Sequence, residues 1–148
     1  MRADATPEAA MPFVQKAGAS DLYEIQSSQL ALQKAQDADI RQFAQMMIDH
    51  HTKTTQQVTA AARAAGLTAP PPQLESQQAR MIAELQPLSG AAFDRAYVRQ
   101  QRMAHEMALA LHSNYAEQGD TPALRQAAAT AVPIVRQHLE RVRAMPSS

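Results

Sequence analysis

Four long segments of the sequence place apolar residues at a spacing of about 3.6, and this periodicity constrains the fold more than any other feature. Such a pattern predicts amphipathic helices, which must bury their apolar faces against one another. The predicted helices span residues 12–35, 37–66, 90–118 and 122–145, and a shorter helix spans 74–85. Two short connections and one longer crossover, residues 66–89, predict an all-α, antiparallel four-helix bundle. We expect residues 1–148 to form a single domain, with residues 1–11 as an N-terminal extension.

Local signals refine this prediction. Asp37 is expected to cap the second helix, and Pro122 to occupy the first position of the last helix. Pro133 lies inside that last helix and predicts a kink rather than a break. Asp94, near the start of the third long helix, is expected to hydrogen-bond to the turn formed by residues 89–90.

Composition excludes several classes of function. Fourteen basic and fourteen acidic residues give a formal net charge of zero, so no nucleic acid partner is expected. The chain has no cysteine, which excludes disulfide bonds and thiolate metal sites. No apolar run reaches the roughly 20 residues of a transmembrane helix, so no transmembrane segment is expected. The first residues lack the apolar region of a signal peptide, as in an exported protein whose signal has been removed.

A carboxylate, Glu24, falls within the apolar stripe of the first helix. Burying a carboxylate is costly unless it is paired, hydrogen-bonded or bound to a metal. Heights in the bundle are measured from the connection between the first and second helices. At about 1.5 Å per residue, Glu24 lies roughly 17 Å and His51 roughly 20 Å from this connection. If the connection between the last two long helices lies at the same end of the bundle, His105 is roughly 20 Å and His138 roughly 25 Å from that connection. The four side chains are therefore expected in one layer near mid-height.

Glutamate and histidine both bind borderline divalent ions, so this layer is a candidate site for one zinc, copper or iron ion. The helical angle turns His105 about 100° away from its stripe, which makes it the weakest of the four candidates. Two other histidines are expected to be peripheral, His50 at the edge of the helix interface and His112 in solvent. The residues themselves favour a hydrogen-bonded polar layer without a metal, because buried polar side chains are usually satisfied by their protein neighbours.

Several motifs, taken in order, resemble the DUF4142 family of bacterial proteins. They are Tyr23-Glu24-Ile25, the runs 43–53 and 88–97, Ala104-His105-Glu106, Val132-Pro133 and His138-Leu139. The resemblance covers most of the chain. It implies a ferritin-like four-helix bundle, usually exported to the periplasm or cell envelope of Gram-negative bacteria, with no established activity. The family positions correspond to Glu24, His51, His105 and His138, and His50 stands where the family usually has an aspartate.

These features predict a non-enzymatic envelope protein whose Glu/His layer is a candidate site for a transition metal. Two alternatives remain: a mononuclear metal-dependent oxidoreductase or metal-handling protein, and a homo-oligomeric interaction module with a purely structural polar layer. A homodimer or an envelope partner would use apolar side chains of the first helix that lie off its main stripe. These are Leu22, Ile25, Leu30 and Leu32. Met47 and Met107 are expected in the core. A cytoplasmic location is the alternative to the periplasm.

Overall fold

The computed structural model describes residues 9–146, and all regular secondary structure in this range is helical. The helices are α1 (Ala10–Lys34), α2 (Ala38–Ala64), α3 (Ser76–Leu85), α4 (Gly90–Gln118) and α5 (Pro122–Arg143). The four long helices form a bundle, and α3 lies in the crossover, packed against α1 and α4. The predicted all-α bundle is confirmed. Of the predicted N-terminal extension, residues 1–8 lie outside the described range, and residues 10–11 already belong to α1.

The helix ends follow from local chemistry. The Asp37 side chain accepts backbone N–H groups in the first turn of α2 and so caps that helix. Gly66 adopts a φ of 81°, a conformation that favours glycine, and α2 ends just before it. Pro122 is the first residue of α5, where its missing N–H leaves no donor unsatisfied. The same helix continues through Pro133 to Arg143, and the kink at Pro133 stays a prediction.

Two contacts establish the direction of α4. Near its start, the Asp94 carboxylate accepts the backbone N–H groups of Gln36 and Asp37, both at 3.0 Å. Near its end, Tyr115 stacks on Phe13 at the start of α1, with ring centroids 4.1 Å apart. Helix α4 is therefore antiparallel to α1. The prediction that Asp94 bonds to the turn at 89–90 is wrong, because its carboxylate instead joins α4 to the α1–α2 turn.

The α4–α5 turn consequently lies at the opposite end of the bundle from the α1–α2 turn. The assumption that both short turns share one end is wrong, because the crossover carries the chain back along the bundle before α4 begins. The predicted height of the layer stays correct despite this error. His105 lies near the middle of the 29-residue α4, so its height is nearly the same from either end. The bundle is roughly 44 Å long, so a His138 that is roughly 25 Å from one end is roughly 19 Å from the other, which is still near mid-height.

The apolar core is divided into two main clusters. The upper cluster, next to the α1–α2 turn, includes Phe43, Met47, Phe93, Tyr97 and Leu139. The lower cluster, next to the α4–α5 turn, includes Phe13, Val58, Tyr115, Leu124 and Ala128. A smaller cluster of Tyr23, Met81 and Ile82 lies beneath α3. Between the upper and lower clusters, the bundle interior is polar, and this layer contains the predicted site residues.

The surface corrects one core prediction. Met47 is fully buried as predicted, but Met107 is 50% exposed, so its predicted core position is wrong. It instead borders a groove between α1, α3 and α4. Of the apolar residues that lie off the main stripe of α1, Leu30 packs against the cluster beneath α3, whereas Leu32 is 37% exposed. Within residues 9–146, no helix combines the length and apolar character needed to span a lipid bilayer.

Candidate metal centre

The polar layer is assembled from all four long helices. Each of its ionisable side chains is almost completely buried, with residue exposures between 2% and 7%. They are Asp21 and Glu24 on α1, His51 on α2, His105 on α4 and His138 on α5. The structure therefore brings all four predicted site residues into one region. It also adds Asp21, which the sequence reasoning missed.

Three histidines converge most closely. Each of His51, His105 and His138 offers one ligand atom, and these three atoms all lie within 4.8 Å of one another. No other group of three or more His, Asp or Glu side chains in the described residues converges in this way. The ring centroids of His51 and His105 are 6.4 Å apart, and those of His105 and His138 are 5.9 Å apart. We call these residues the histidine triad. Three helices supply one imidazole each, so the triad exists only in the folded bundle.

The first of these rings is oriented by Asp21. His51 Nδ1 lies 2.7 Å from Asp21 Oδ1, and the Thr55 hydroxyl donates to Asp21 Oδ2 at 3.0 Å. The ring donates its Nδ1 proton to the Oδ1 atom of this carboxylate, so in the neutral ring Nε2 keeps its lone pair. His51 Nε2 is buried and has no hydrogen-bond partner within the described chain. Asp21 precedes Glu24 by three residues, which places both carboxylates on one helix face, and this spacing could have revealed it.

His105 is oriented in the same way by the backbone. Its Nδ1 lies 2.8 Å from the Gln101 carbonyl oxygen, one helical turn earlier. A carbonyl oxygen can only accept, so Nδ1 again carries the proton. His105 Nε2 is buried without a partner, like His51 Nε2. Two imidazoles therefore each hold an unused lone pair away from water, which is how metal-binding histidines are usually fixed by their second nitrogen.

Glu24 borders the triad. Its Oε2 lies 3.7 Å from His105 Nδ1, and its Oε1 has no hydrogen-bond partner in the described part of the chain. Because the Nδ1 proton of His105 is directed to Gln101, Glu24 receives only a longer electrostatic contact from this ring. A carboxylate buried to 2% exposure with an unpaired oxygen is destabilising unless a cation compensates it.

The local charges set the protonation of the triad. Burial lowers the pKa of His51, but the hydrogen bond to Asp21 and the charges of Glu24 and Asp21 outweigh it and raise the pKa overall. Burial, together with the neighbouring histidines and Arg141, lowers the pKa of His138 to about 3. His138 is therefore neutral at physiological pH, and its ring can donate a lone pair to a cation.

The ranking of His105 as the weakest candidate is not what the structure shows. Its ring lies between those of His51 and His138 and is only 2% exposed. Helix α4 packs against three neighbours, α1, α3 and α5, so its buried surface is wider than a single stripe. A residue about 100° from the stripe centre can then still face the interior.

The two peripheral histidines differ from each other. His50 is half-buried at the α2–α5 interface, with its ring centroid 4.8 Å from that of His138. The prediction that His112 is solvated is wrong, because it is only 4% exposed. It packs edge-on against Phe13 in the lower cluster, with centroids 5.5 Å apart. The sequence reasoning placed His112 on an outer flank and missed that α1 covers it.

Comparison with known proteins identifies the family. A family model described as a domain of unknown function, DUF4142, matches residues 1–145. The chain belongs to the DUF4142 family. No curated protein sequence matches it.

The fold is shared with solved structures of low sequence identity. CopM in its Cu(II)-bound form superposes with a TM-score of 0.76 at 16% identity, covering 93% of this chain and 95% of CopM. A DUF305 fragment from Deinococcus radiodurans gives a TM-score of 0.76 at 19% identity, covering 90% and 92% of the two chains. A DUF305 protein from Streptomyces coelicolor, described as a candidate secreted protein, gives 0.73 at 11% identity, covering 88% and 85%. These likenesses show that the DUF4142 chain shares one helical-bundle fold with CopM and DUF305 proteins.

Proposed function

We propose that this DUF4142 protein binds one divalent transition metal ion at the centre of its bundle, through His51, His105 and His138. One observation carries the proposal. The Nε2 atoms of His51 and His105 are buried without partners, while Asp21 and the Gln101 carbonyl hold the Nδ1 protons. An unsatisfied buried polar atom costs about 1–3 kcal/mol, and coordination of a metal would remove this cost.

The charges of the site favour a divalent cation. Asp21 and Glu24 are both buried, and their described partners are histidines and the Thr55 hydroxyl. Two carboxylates beside three imidazoles balance a charge of +2 better than a charge of +1. Glu24, with its free Oε1, is the proposed fourth ligand, and its side chain has to move towards the ion because its oxygens lie outside the set of ligand atoms within 4.8 Å of one another. Imidazole and carboxylate ligands without thiolate suit zinc, copper and iron.

The spacing of the ligand atoms is compatible with such an ion. Imidazole nitrogens on one tetrahedral ion lie roughly 3.3 Å apart when metal–nitrogen bonds are about 2.0–2.1 Å long. The triad atoms lie within 4.8 Å of one another. Binding then requires side-chain movements of about an ångström, and the bundle itself needs no rearrangement.

We further propose that the protein acts as a non-enzymatic metal-binding protein outside the cytoplasm, in the periplasm or cell envelope. Two of its structural relatives support this reading. CopM is known in Cu(II)-bound, Cu(I)-bound and Ag-bound forms, and the Streptomyces DUF305 protein is described as a candidate secreted protein. Donor atoms closed off in the bundle interior suit storage or transport of an ion better than turnover of a substrate.

Elemental analysis tests the proposed function. The protein is purified without a histidine tag, loaded separately with Zn²⁺ and Cu²⁺, dialysed and analysed for bound metal. We expect about one ion per chain for the wild type, loss of that ion in His51→Ala and weakened retention in Glu24→Ala. The matched control is His112→Ala, which removes a buried histidine outside the layer and is expected to keep the ion. Absence of bound metal from the wild type, or equal retention in His51→Ala, would contradict the proposal and leave a structural polar layer.

A further inference from the structure

The three rings of the triad differ in their access to solvent. The Nε2 atoms of His51 and His105 are sealed from solvent and have no hydrogen-bond partner. The two ring nitrogens of His138 are not among the atoms that are sealed from solvent. Neither nitrogen takes part in a hydrogen bond within residues 9–146. His138 is therefore the member of the triad whose ligand atoms still reach solvent, which places the opening of the site at α5.

A second imidazole lies directly at this opening. The ring of His50 is half-buried, with its centroid 4.8 Å from that of His138 and the ring planes inclined by 44°. Its ring nitrogens have no hydrogen-bond partner in the described range. His50 does not belong to the set of ligand atoms that lie within 4.8 Å of one another. It can therefore contact an ion at the opening without being part of the buried site.

We propose that His50 and His138 form an outer metal position through which the ion passes between solvent and the buried triad. The inference rests on the proposed function. An ion would first bind the two accessible imidazoles and then exchange His50 for His105 and His51. No bond other than metal–ligand bonds changes, and the ion keeps its charge throughout. His50 acts on the rate of exchange, whereas the triad determines the affinity.

Other groups near the opening do not offer the same chemistry. The Met46 sulfur accepts a hydrogen bond from the Arg141 guanidinium at 3.7 Å, and that guanidinium also lies 5.9 Å from the Phe43 ring centroid. The adjacent Asp49 is exposed and bonded to Gln45, and consecutive helical residues point about 100° apart. His50 thus remains the free ligand that faces His138.

Stopped-flow kinetics test this inference with Cu²⁺ alone as the probe. The chain has three tyrosines and no tryptophan, so quenching of tyrosine fluorescence by Cu²⁺ reports binding, and excess EDTA reports release. In His50→Gln, we expect both the binding and the release rate to fall by about tenfold, with Kd nearly unchanged, because a residue on the path alters only the barrier. His50→Asp retains a ligand and is expected to keep rates near those of the wild type. Asp49→Asn is the control for general surface charge.

The outcomes separate this inference from the proposed function. Unchanged rates in His50→Gln, or an equal slowing in Asp49→Asn, would overturn the role of His50 while leaving the triad intact. A large rise in Kd for His50→Gln with an unchanged binding rate would also overturn it, because His50 would then be a ligand of the final site. If the wild type binds no Cu²⁺ or Zn²⁺ at equilibrium, the proposed function itself fails and the path fails with it.

Discussion

The histidine triad and His112 are two buried histidine regions with opposite surroundings. His51 and His105 each have one nitrogen fixed by an acceptor and the other directed into a shared space. His112 is equally buried, but it lies edge-on to Phe13 of the lower cluster, its Nδ1 has no partner within the described chain, and Asp21 and His51 act on it only through their charges. Burial alone is therefore not what distinguishes the candidate metal centre.

The difference lies in convergence and orientation. A metal needs several ligand atoms within a few ångströms of each other, each with its lone pair pointing the same way. The triad has both properties, because Asp21 and the Gln101 carbonyl hold two of its rings. His112 has neither, and its burial serves packing between α1 and α4.

The largest expected effect separates the two regions directly. Zn²⁺ at about 100 times Kd stabilises the folded state by about 2.7 kcal/mol. For a domain of this size, that raises Tm by roughly 5–10 °C. We expect this shift in the wild type and in His112→Ala, and no shift in His105→Ala. Differential scanning fluorimetry with and without Zn²⁺ provides the measurement. A Tm shift that persists in His105→Ala would show that Zn²⁺ binds outside the triad and would contradict the distinction between the triad and His112.

A smaller effect tests the orienting carboxylate. Asp21→Asn keeps the size of the side chain but removes the charge and lets the amide donate to His51 Nδ1, which favours the wrong tautomer. We expect affinity for Zn²⁺ to fall by about tenfold, the lower end of the range for groups that orient a ligand. Isothermal titration calorimetry measures the affinity, with Asp49→Asn as the exposed control. Equal affinities in the two variants would mean that Asp21 does not orient the ring.

The sequence predicted the layer but not its internal arrangement. Glu24, His51, His105 and His138 could be placed at one height because helical rise is constant. The burial of Glu24 and His51 followed from the amphipathic pattern, whereas that of His105 did not, because it lies about 100° from its stripe. The end of the bundle at which α4 begins could not be predicted, because the path of a crossover depends on tertiary packing. The partner of His51 could not be identified either, since a contact between two helices depends on the rotation of both.

Glu24 is expected to affect stability as well as affinity. In the metal-free protein, Glu24→Ala removes an unpaired carboxylate but leaves a cavity in the packed interior, and we expect the cavity to dominate and lower the free energy of unfolding by about 1–3 kcal/mol. Glu24→Gln preserves the shape and is expected to cost less stability, yet it should still weaken Zn²⁺ binding. Urea denaturation measures the first quantity, and calorimetry the second. Negligible and equal effects on both would exclude Glu24 from the site.

The smallest expected effect concerns pH. Burial lowers the pKa of His112 below its ordinary value of 6.5, so the unfolded chain binds more protons than the folded protein below pH 6.5. Stability is then lost as the pH falls below 6.5, by at most about 1.4 kcal/mol per pH unit for this group. The raised pKa of His51 in the metal-free protein has the opposite sign: its stabilisation is present below pH 6.5 and is lost as the pH rises.

We therefore expect His112→Gln to reduce the loss of stability between pH 6.5 and pH 5, measured by urea denaturation at each pH. His51→Gln should leave that loss nearly unchanged and should instead reduce the loss of stability as the pH rises above 6.5, because the contribution of His51 is fully present below that pH. Parallel curves for the wild type and His112→Gln would show that this histidine is protonated to the same extent in both states.

The metal centre at the histidine triad is tested by X-ray diffraction from crystals soaked in Zn²⁺, with data collected at the zinc absorption edge. We expect one strong anomalous peak inside the bundle, about 2.0–2.1 Å from a ring nitrogen of each of His51, His105 and His138. Peaks confined to the protein surface, or an interior in which His51 and His105 keep their unpaired nitrogens without a peak between them, would contradict the proposed metal centre.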